Sequence, residues 1–189
     1  YPSVKRPADS TGDLILARAG LVEPRKRKRR TSADTVPFGN CLEANAVWCT
    51  DFKGEFALGN KQLCYPLTVT DLFSRHLFAC ESFSSTRACN VFTVFDRLFS
   101  EFGLPWSIRS DNGTPFASMA LGGISRLSKW WIDLGIRPQR IKPSHPEQNG
   151  QHERMHRSLK AFLLKRPNSV KQTLSEQQAV FDDFRQEYN

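Results

Sequence analysis

The chain has 189 residues, 39% of them apolar, enough for one substantial core with a smaller appendage and too few for two large domains. Lys and Arg outnumber Asp and Glu by 27 to 19, but six of the cations form one run, Arg25, Lys26, Arg27, Lys28, Arg29 and Arg30. Removing the run leaves 21 (27 less 6) against 19, so the basic character is a local patch suited to phosphate, or else a solvated tether, rather than a property of the whole surface.

Residues 1–40 are rich in Pro, Ser, Thr, Arg and Lys and contain one short apolar-periodic segment, TGDLILARAGLV. Leu14, Leu16, Ala19 and Leu21 predict a short helix ending at Gly20. This piece is too small to fold alone, so residues 1–40 read as an N-terminal arm and basic linker. No N-terminal stretch resembles a signal peptide or a membrane span, and a soluble cytoplasmic protein without membrane partners is expected. Five cysteines without a repeated short spacing, three of them in apolar runs, predict buried free thiols rather than disulfides or a zinc knuckle.

From Asn45 the pattern becomes that of a folded domain, taken here as residues 41–166. AVWCTDFKGEF alternates, with Val47, Cys49 and Asp51 on one side and Trp48, Thr50 and Phe52 on the other, as a strand should. CYPLTVTDLF and HLFACESF follow after short turns and complete an antiparallel meander. Val91, Val94, Phe95, Leu98 and Phe102 recur at helical spacing before Gly103. WSIRSDNG reads as a short strand and turn, GISRLSKWWIDLG as a helix, and IRPQRIK as a fifth strand. A long helix from about Gln148 to Lys165 and another from about Val170 to Tyr188 flank Pro167 and Asn168; residues 167–189 read as a truncated C-terminal helix. This order predicts a mixed α/β protein of the ribonuclease H-like fold, a mixed five-stranded sheet flanked by helices.

Asp51 falls mid-strand in an apolar and aromatic stretch, where an unpaired carboxylate near a core is costly; an edge-strand aspartate facing solvent is the alternative. Asp111 stands in SDNGTPF, where Asn112 and Gly113 allow a sharp turn and by themselves imply nothing more. PSHPEQNGQHERMHRSLK, residues 143–160, is a Pro/Gly loop feeding a basic helix.

The ordered set TDFKG, SDNGTPF and P-x-x-x-G-x-x-E, followed by a basic helix, resembles the core of retroviral-type integrases and bacterial insertion-sequence transposases, the D-D-E family. The resemblance runs from about Trp48 to Lys165. In its flanks, AGLVEPRKRKRR is similar to the linker that transposases place after an upstream DNA-binding domain, and FRQEYN to the start of their C-terminal segment. The family implies DNA strand cleavage and strand transfer using Mg2+ or Mn2+, with Asp51, Asp111 and Glu153 as catalytic metal ligands. It further implies element-end and target DNA as partners, a homo-oligomer, and a bacterial cytoplasm as the setting, at the nucleoid when bound to DNA. Three acidic side chains suit this chemistry, because hard divalent ions take carboxylate oxygens and two such ions can serve both the attacking and the leaving oxygen of a phosphodiester.

Many family members place 35 residues between the second and third acids, a count that lands on Glu147 rather than Glu153. Context favours Glu153, which opens a helix three residues after Gly150, and an insertion around ASMALGGISRLS accounts for the longer spacing. Arg157 and Lys160 follow Glu153 on one helical face as candidate DNA contacts, or as a solvated basic face; Asn149, with the Arg25–Arg30 run, completes the candidate DNA-binding set, and Asn112 lies beside Asp111. Met155, Leu159, Phe162 and Leu163 form the opposing core stripe, and Trp130 and Trp131 with Leu127 and Leu134 a packing face.

HERMH, residues 152–156, also satisfies the H-E-x-x-H pattern of zinc metalloproteases, with Glu176 available as a third ligand. That alternative leaves Asp51 and Asp111 idle, and packing histidines are the simpler reading, although His152 stands where the family usually has an apolar residue. A nuclease of the same fold and an inactive DNA-binding protein are the remaining alternatives.

Overall fold

The computed structural model describes residues 41–118, 121–141, 150–166 and 173–189, together with 11, 16 and 18–21. The chain divides into two units, Tyr1–Arg30 and Thr31–Asn189. In the first, the Leu21 N–H bonds the Leu16 carbonyl at 3.0 Å across Gly20, whose φ is +70°. This is the glycine-terminated helix end expected there. Leu14 and the Arg25–Arg30 run lie outside the described residues, as do Glu147 and Asn149.

The second unit is built on six strands: β1 (Val47–Phe52), β2 (Phe56–Ala57), β3 (Leu63–Asp71), β4 (Leu77–Phe83), β5 (Ser107–Ser110) and β6 (Arg137–Arg140). The sheet has one more strand than the five expected. The first apolar run breaks after Phe52, and its tail returns as the two-residue β2 against Cys64 and Leu63 of β3. Neighbours run β2-β3-β1-β5-β6, with β4 on β3. β1 pairs antiparallel with β3 and parallel with β5, and β5 pairs parallel with β6. The meander supplies the antiparallel part; helices make the crossovers that parallel pairing requires.

Among the described residues, four helices cover this sheet: α1 (Ala88–Phe102), α2 (Arg126–Asp133), α3 (Gly150–Lys165) and α4 (Leu174–Tyr188). Strand alternation sends Trp48, Leu67, Val69 and Ile108 into one core, where the α1 stripe Val91, Val94, Phe95 and Leu98 packs with Leu127 and Trp131 of α2. Trp131 is fully buried, edge-on to Phe95 at 5.0 Å, and Trp130 lies half-buried against Phe92 and Phe99. Leu134 departs from the expected face, being 37% exposed after the last turn of α2. A second core joins Cys64, Leu77 and Cys80 to Met155, Leu159 and Phe162 of α3 and Val180, Phe181 and Phe184 of α4, with Leu163 half-buried at its edge. α3 therefore lies against the sheet through its apolar stripe, which leaves its charged face outward.

Cys49, Cys64 and Cys80 are buried free thiols, as their strand positions suggested, and burial pushes Cys49 and Cys64 up to about 12. Cys89 is exposed on α1 and Cys41 is half-buried. Among the described residues no helix is long and apolar enough to cross a membrane.

Candidate active site

β1 and β5 keep a constant parallel offset of 60 residues (107 − 47, 109 − 49), pairing Val47 with Ser107 and Cys49 with Arg109. Continued by two residues, that offset sets Asp51 level with Asp111. Both stand at the carboxyl ends of parallel strands, the edge at which open α/β sheets gather their ligands. Asp111 follows the last residue of β5, and its Oδ1 accepts the Gly113 N–H at 3.0 Å. This is an Asx turn, in which an aspartate closes on the backbone two residues ahead. A Cβ on Gly113 would stand 2.9 Å from Asp111 Oδ2, so glycine is what lets the carboxylate sit there.

Glu153 arrives from elsewhere, on the first turn of α3 and exposed. The positive end of a helix favours a carboxylate at this position. The three acids are electrostatically linked through Asp51. Its carboxyl is raised from 3.8 to about 7, first by burial, then by the negative charge of Asp111 and, more weakly, of Glu153. The Phe52 N–H and the Lys53 charge act in the opposite sense. Asp111 is raised as well, by burial, with the Gly113 N–H opposing.

The coupling is pairwise. Among the described residues, no three His, Cys, Asp or Glu side chains are grouped closely enough to hold one ion together. The carboxyl of Asp51 senses the charge of Asp111 and, more weakly, that of Glu153. Hard oxygen donors, one of them held protonated near neutrality first by burial and then by the charges of the other two, form a donor set that a divalent cation would relieve, so the residues present fit such an ion.

His152 and His156 point the other way, into the sheet, and are only 2% and 9% exposed. Thr68 Oγ1 lies 2.8 Å from Nε2 of each histidine, and Thr70 Oγ1 3.0 Å from Nδ1 of His152. Burial pushes His152 well below its ordinary value and His156 down to about 4, with Lys53 adding to the shift at His156. Glu176, the third ligand of the protease alternative, is spent as the cap of α4, where it accepts from the N–H and hydroxyl of Thr173 at 2.8 and 2.9 Å. The HERMH pattern is thus a packing arrangement. A zinc site needs these side chains free, and they are not.

Arg157 and Lys160 are exposed on the outer face of α3. Lys160 also borders a groove of about 240 Å³, facing Lys53 and Phe56. Asn112 ties the ends of β5 and β6, its Nδ2 donating to the Ile141 carbonyl at 2.6 Å. Between Asp111 and α2 the chain forms a 3-10 turn at Leu121–Gly123 and an Ala117–Ile124 bridge. A hollow of about 690 Å³ lies at the opposite end of β1 among Asn45, Asp71, Arg75, His76, Phe102 and Tyr188 and contains none of the three acids.

Sequence reasoning missed Lys53, Thr68 and Thr70, and took Gly113 as a turn former without its close approach to the Asp111 carboxylate. Two of these had a local signal. Lys53 continues the two-residue alternation from Asp51, and D-N-G is the expected form of an Asx turn. The threonines had none, because their partners lie more than eighty positions away on α3.

Two sequence models of the integrase core domain match the chain, one over residues 42–146 and one over residues 134–189. The Gag-Pol polyprotein of baboon endogenous virus (strain M7) is 33% identical over 139 residues, 70% of this chain and 8% of the polyprotein. The insertion element IS407 uncharacterized 31.7 kDa protein of Burkholderia multivorans is 28% identical over 172 residues, 90% of this chain and 59% of that protein. The chain thus spans less than two thirds of these relatives. Among solved structures, the simian T-cell lymphotropic virus intasome in complex with PP2A regulatory subunit B56 gamma superposes with a TM-score of 0.61 at 20% identity, covering 92% of this chain and 60% of that one. The HTLV-2 integrase catalytic core domain in complex with magnesium (trimeric form) gives 0.54 at 20% identity, covering 76% and 84%. These likenesses show the fold, which is ribonuclease H-like.

Proposed function

The chain belongs to the integrase core domain family, and from that premise we propose that it cuts and joins DNA strands through Asp51, Asp111 and Glu153. The observation that carries this reading is the raised Asp51 carboxyl, pressed by burial, by Asp111 and by Glu153 at the carboxyl edge of β1 and β5. Asp51 is the shared member, coupled by charge to Asp111 and to Glu153. Mg2+ or Mn2+ bound by these pairs would polarise the phosphodiester, lower the pKa of the attacking oxygen and stabilise the leaving one.

The remaining work falls to the chain itself. Asp111 is oriented by the Gly113 N–H, so its carboxylate is set before substrate arrives. Arg157 and Lys160, exposed on the helix that carries Glu153, pair with DNA phosphates and hold the strand along α3. A water or 3′-hydroxyl oxygen then forms a bond to phosphorus as the bond to the 3′ oxygen of the cut strand breaks, with no covalent enzyme intermediate. The Arg25–Arg30 run and Asn149 add further DNA contacts in this reading. Residues 1–40 act as the arm and linker of an upstream DNA-binding domain, and two DNA ends are brought together by more than one copy of the chain.

Incubating the chain with Mg2+ or Mn2+, labelled element-end DNA and a target plasmid tests the proposal. Joined strands are expected. Cut strands without joining would make the protein a nuclease, and no metal-dependent product with either ion would overturn the reading.

A further inference from the structure

Asp51 lies on β1 and Asp111 directly after the adjacent β5, whereas Glu153 rides on α3, so the distance between Glu153 and the two aspartates depends on how that helix is seated. The apolar stripe of α3 sets its depth on the sheet. Apolar contacts are not directional, and they leave the rotation and axial height of a helix loosely specified.

One buried polar cluster lies between α3 and the sheet, and the proposed chemistry does not use it. Thr68 pairs with Asp51 across β1 and β3, so the two side chains share a face. Thr68 Oγ1 is within 3.1 Å of the Asp51 carbonyl and 2.8 Å of Nε2 on both His152 and His156. A carbonyl only accepts, so the single Thr68 hydroxyl hydrogen goes to Asp51 and both imidazoles must donate their Nε2–H to the hydroxyl oxygen. His152 Nδ1 is then bare and accepts from the Thr70 hydroxyl at 3.0 Å. Every one of these contacts is satisfied with two neutral rings, which stand edge to face 4.7 Å apart.

We propose that Thr68, His152 and His156 are positioning residues: one threonine hydroxyl, bonded to the backbone of Asp51, grips α3 at two points one turn apart and so sets Glu153 against Asp51. The inference rests on the reading of the three acids as metal ligands. Two directional bonds from successive turns to a single atom fix both the rotation and the height of the helix, which the apolar stripe does not. His152 and His156 flank Glu153 in sequence, so the restraint acts on the turn that carries it.

Mn2+ alone is titrated into the full chain, free ion being read by its paramagnetic resonance, with thermal unfolding recorded in parallel. Asp51→Asn should abolish binding; if it binds as the wild type does, the metal-ligand reading falls and the proposal with it. Thr68→Val, which keeps the shape and removes the hydroxyl, should weaken Mn2+ binding on the order of ten- to a hundredfold, as loss of an outer partner does. Thr68→Ser should restore it. Wild-type affinity in folded Thr68→Val, with Asp51→Asn inactive in binding, overturns the positioning role alone, even if the unfolding temperature falls. Should Thr68→Val fail to fold, His156→Leu takes its place, with weakened binding expected and unchanged binding overturning the proposal. Nitrogen-15 spectra of the wild type should show both rings protonated at Nε2, and Nδ1 protonation of either would break the chain of bonds on which the argument stands.

Discussion

The 60-residue offset of the parallel strands β1 and β5, continued two residues past its last pair, sets Asp51 level with Asp111, and the charge of Asp111 is the largest influence after burial in raising the Asp51 carboxyl to about 7. Two carboxylates cannot both ionise freely in such a place unless a cation joins them.

The shift has a consequence for stability. Between 3.8, the ordinary value, and about 7, the folded chain holds a proton on Asp51 that the unfolded chain releases. Metal-free stability attributable to Asp51 is therefore present at the acid end of this window, declines as pH rises through it and is level above it. His152 and His156 act oppositely, because their lowered values cost stability as pH falls below 6.5. The comparison with Asp51→Asn removes their contribution. Measured in EDTA, the stability advantage of Asp51→Asn over the wild type should grow from about pH 4 to about pH 7 and then level. A pH-independent difference would show that Asp51 is not perturbed.

Glu153 and Glu147 are separable by substitution. Glu153→Gln should lower strand joining on the order of a thousandfold, the rate equivalent of losing several kcal/mol of charge stabilisation, with the unfolding temperature unchanged. Glu147→Gln should join strands at the wild-type rate. The reverse result would move the third ligand to Glu147, the position that the 35-residue spacing indicates.

Gly113 is held to glycine by the Asp111 carboxylate rather than by its own backbone. Its added Cβ would lie 2.9 Å from Oδ2 and 3.3 Å from Oδ1, so Gly113→Ala must displace the carboxyl group. Mn2+ affinity and joining should each fall about tenfold or more, in the range of other outer-partner losses. Position 113 is half-buried in a turn, and urea unfolding should register little. Unimpaired metal binding in this variant would mean that Asp111 has room to rearrange.

Arg157 and Lys160 should appear in the salt dependence of DNA binding. Each phosphate contact contributes about 0.9 to the slope of log affinity against log salt, so Arg157→Ala and Lys160→Ala should each reduce the slope by about that amount. Met155→Ala, on the buried face of the same helix, should instead cost about 2–5 kcal/mol of stability and leave the slope alone. An unchanged slope in both cation variants would make that face merely solvated.

Much of this protein is legible from local pattern. The alternation around Trp48, the helical spacing of Val91, Val94, Phe95 and Leu98, and the stripe Met155, Leu159 and Phe162 each name an element and the face that it buries. These signals are written in neighbouring residues, because periodicities of 2 and 3.6 follow from backbone geometry alone. β2 escaped because two residues carry no period, and Leu134 because it lies past the turn that its stripe was extrapolated from.

The histidines mark the boundary between the two kinds of information. HERMH fits a zinc motif in the sequence, and nothing within five residues distinguishes a ligand pair from a packed pair. What distinguishes them is Thr68, on a strand that neither histidine can be connected to by any spacing rule. The acids divide in the same way. The sequence alone determined most of the elements, the order of Asp51, Asp111 and Glu153 along them and the turn chemistry at Gly113. Only the tertiary structure decided that β1 and β5 run parallel at an offset of 60 residues, that Asp51 is the member coupled to both others, and that α3 is bonded to β3. The physical reason is range: propensity and period act over a few residues, whereas burial, charge coupling and hydrogen bonding between elements arise only when the chain brings distant residues together.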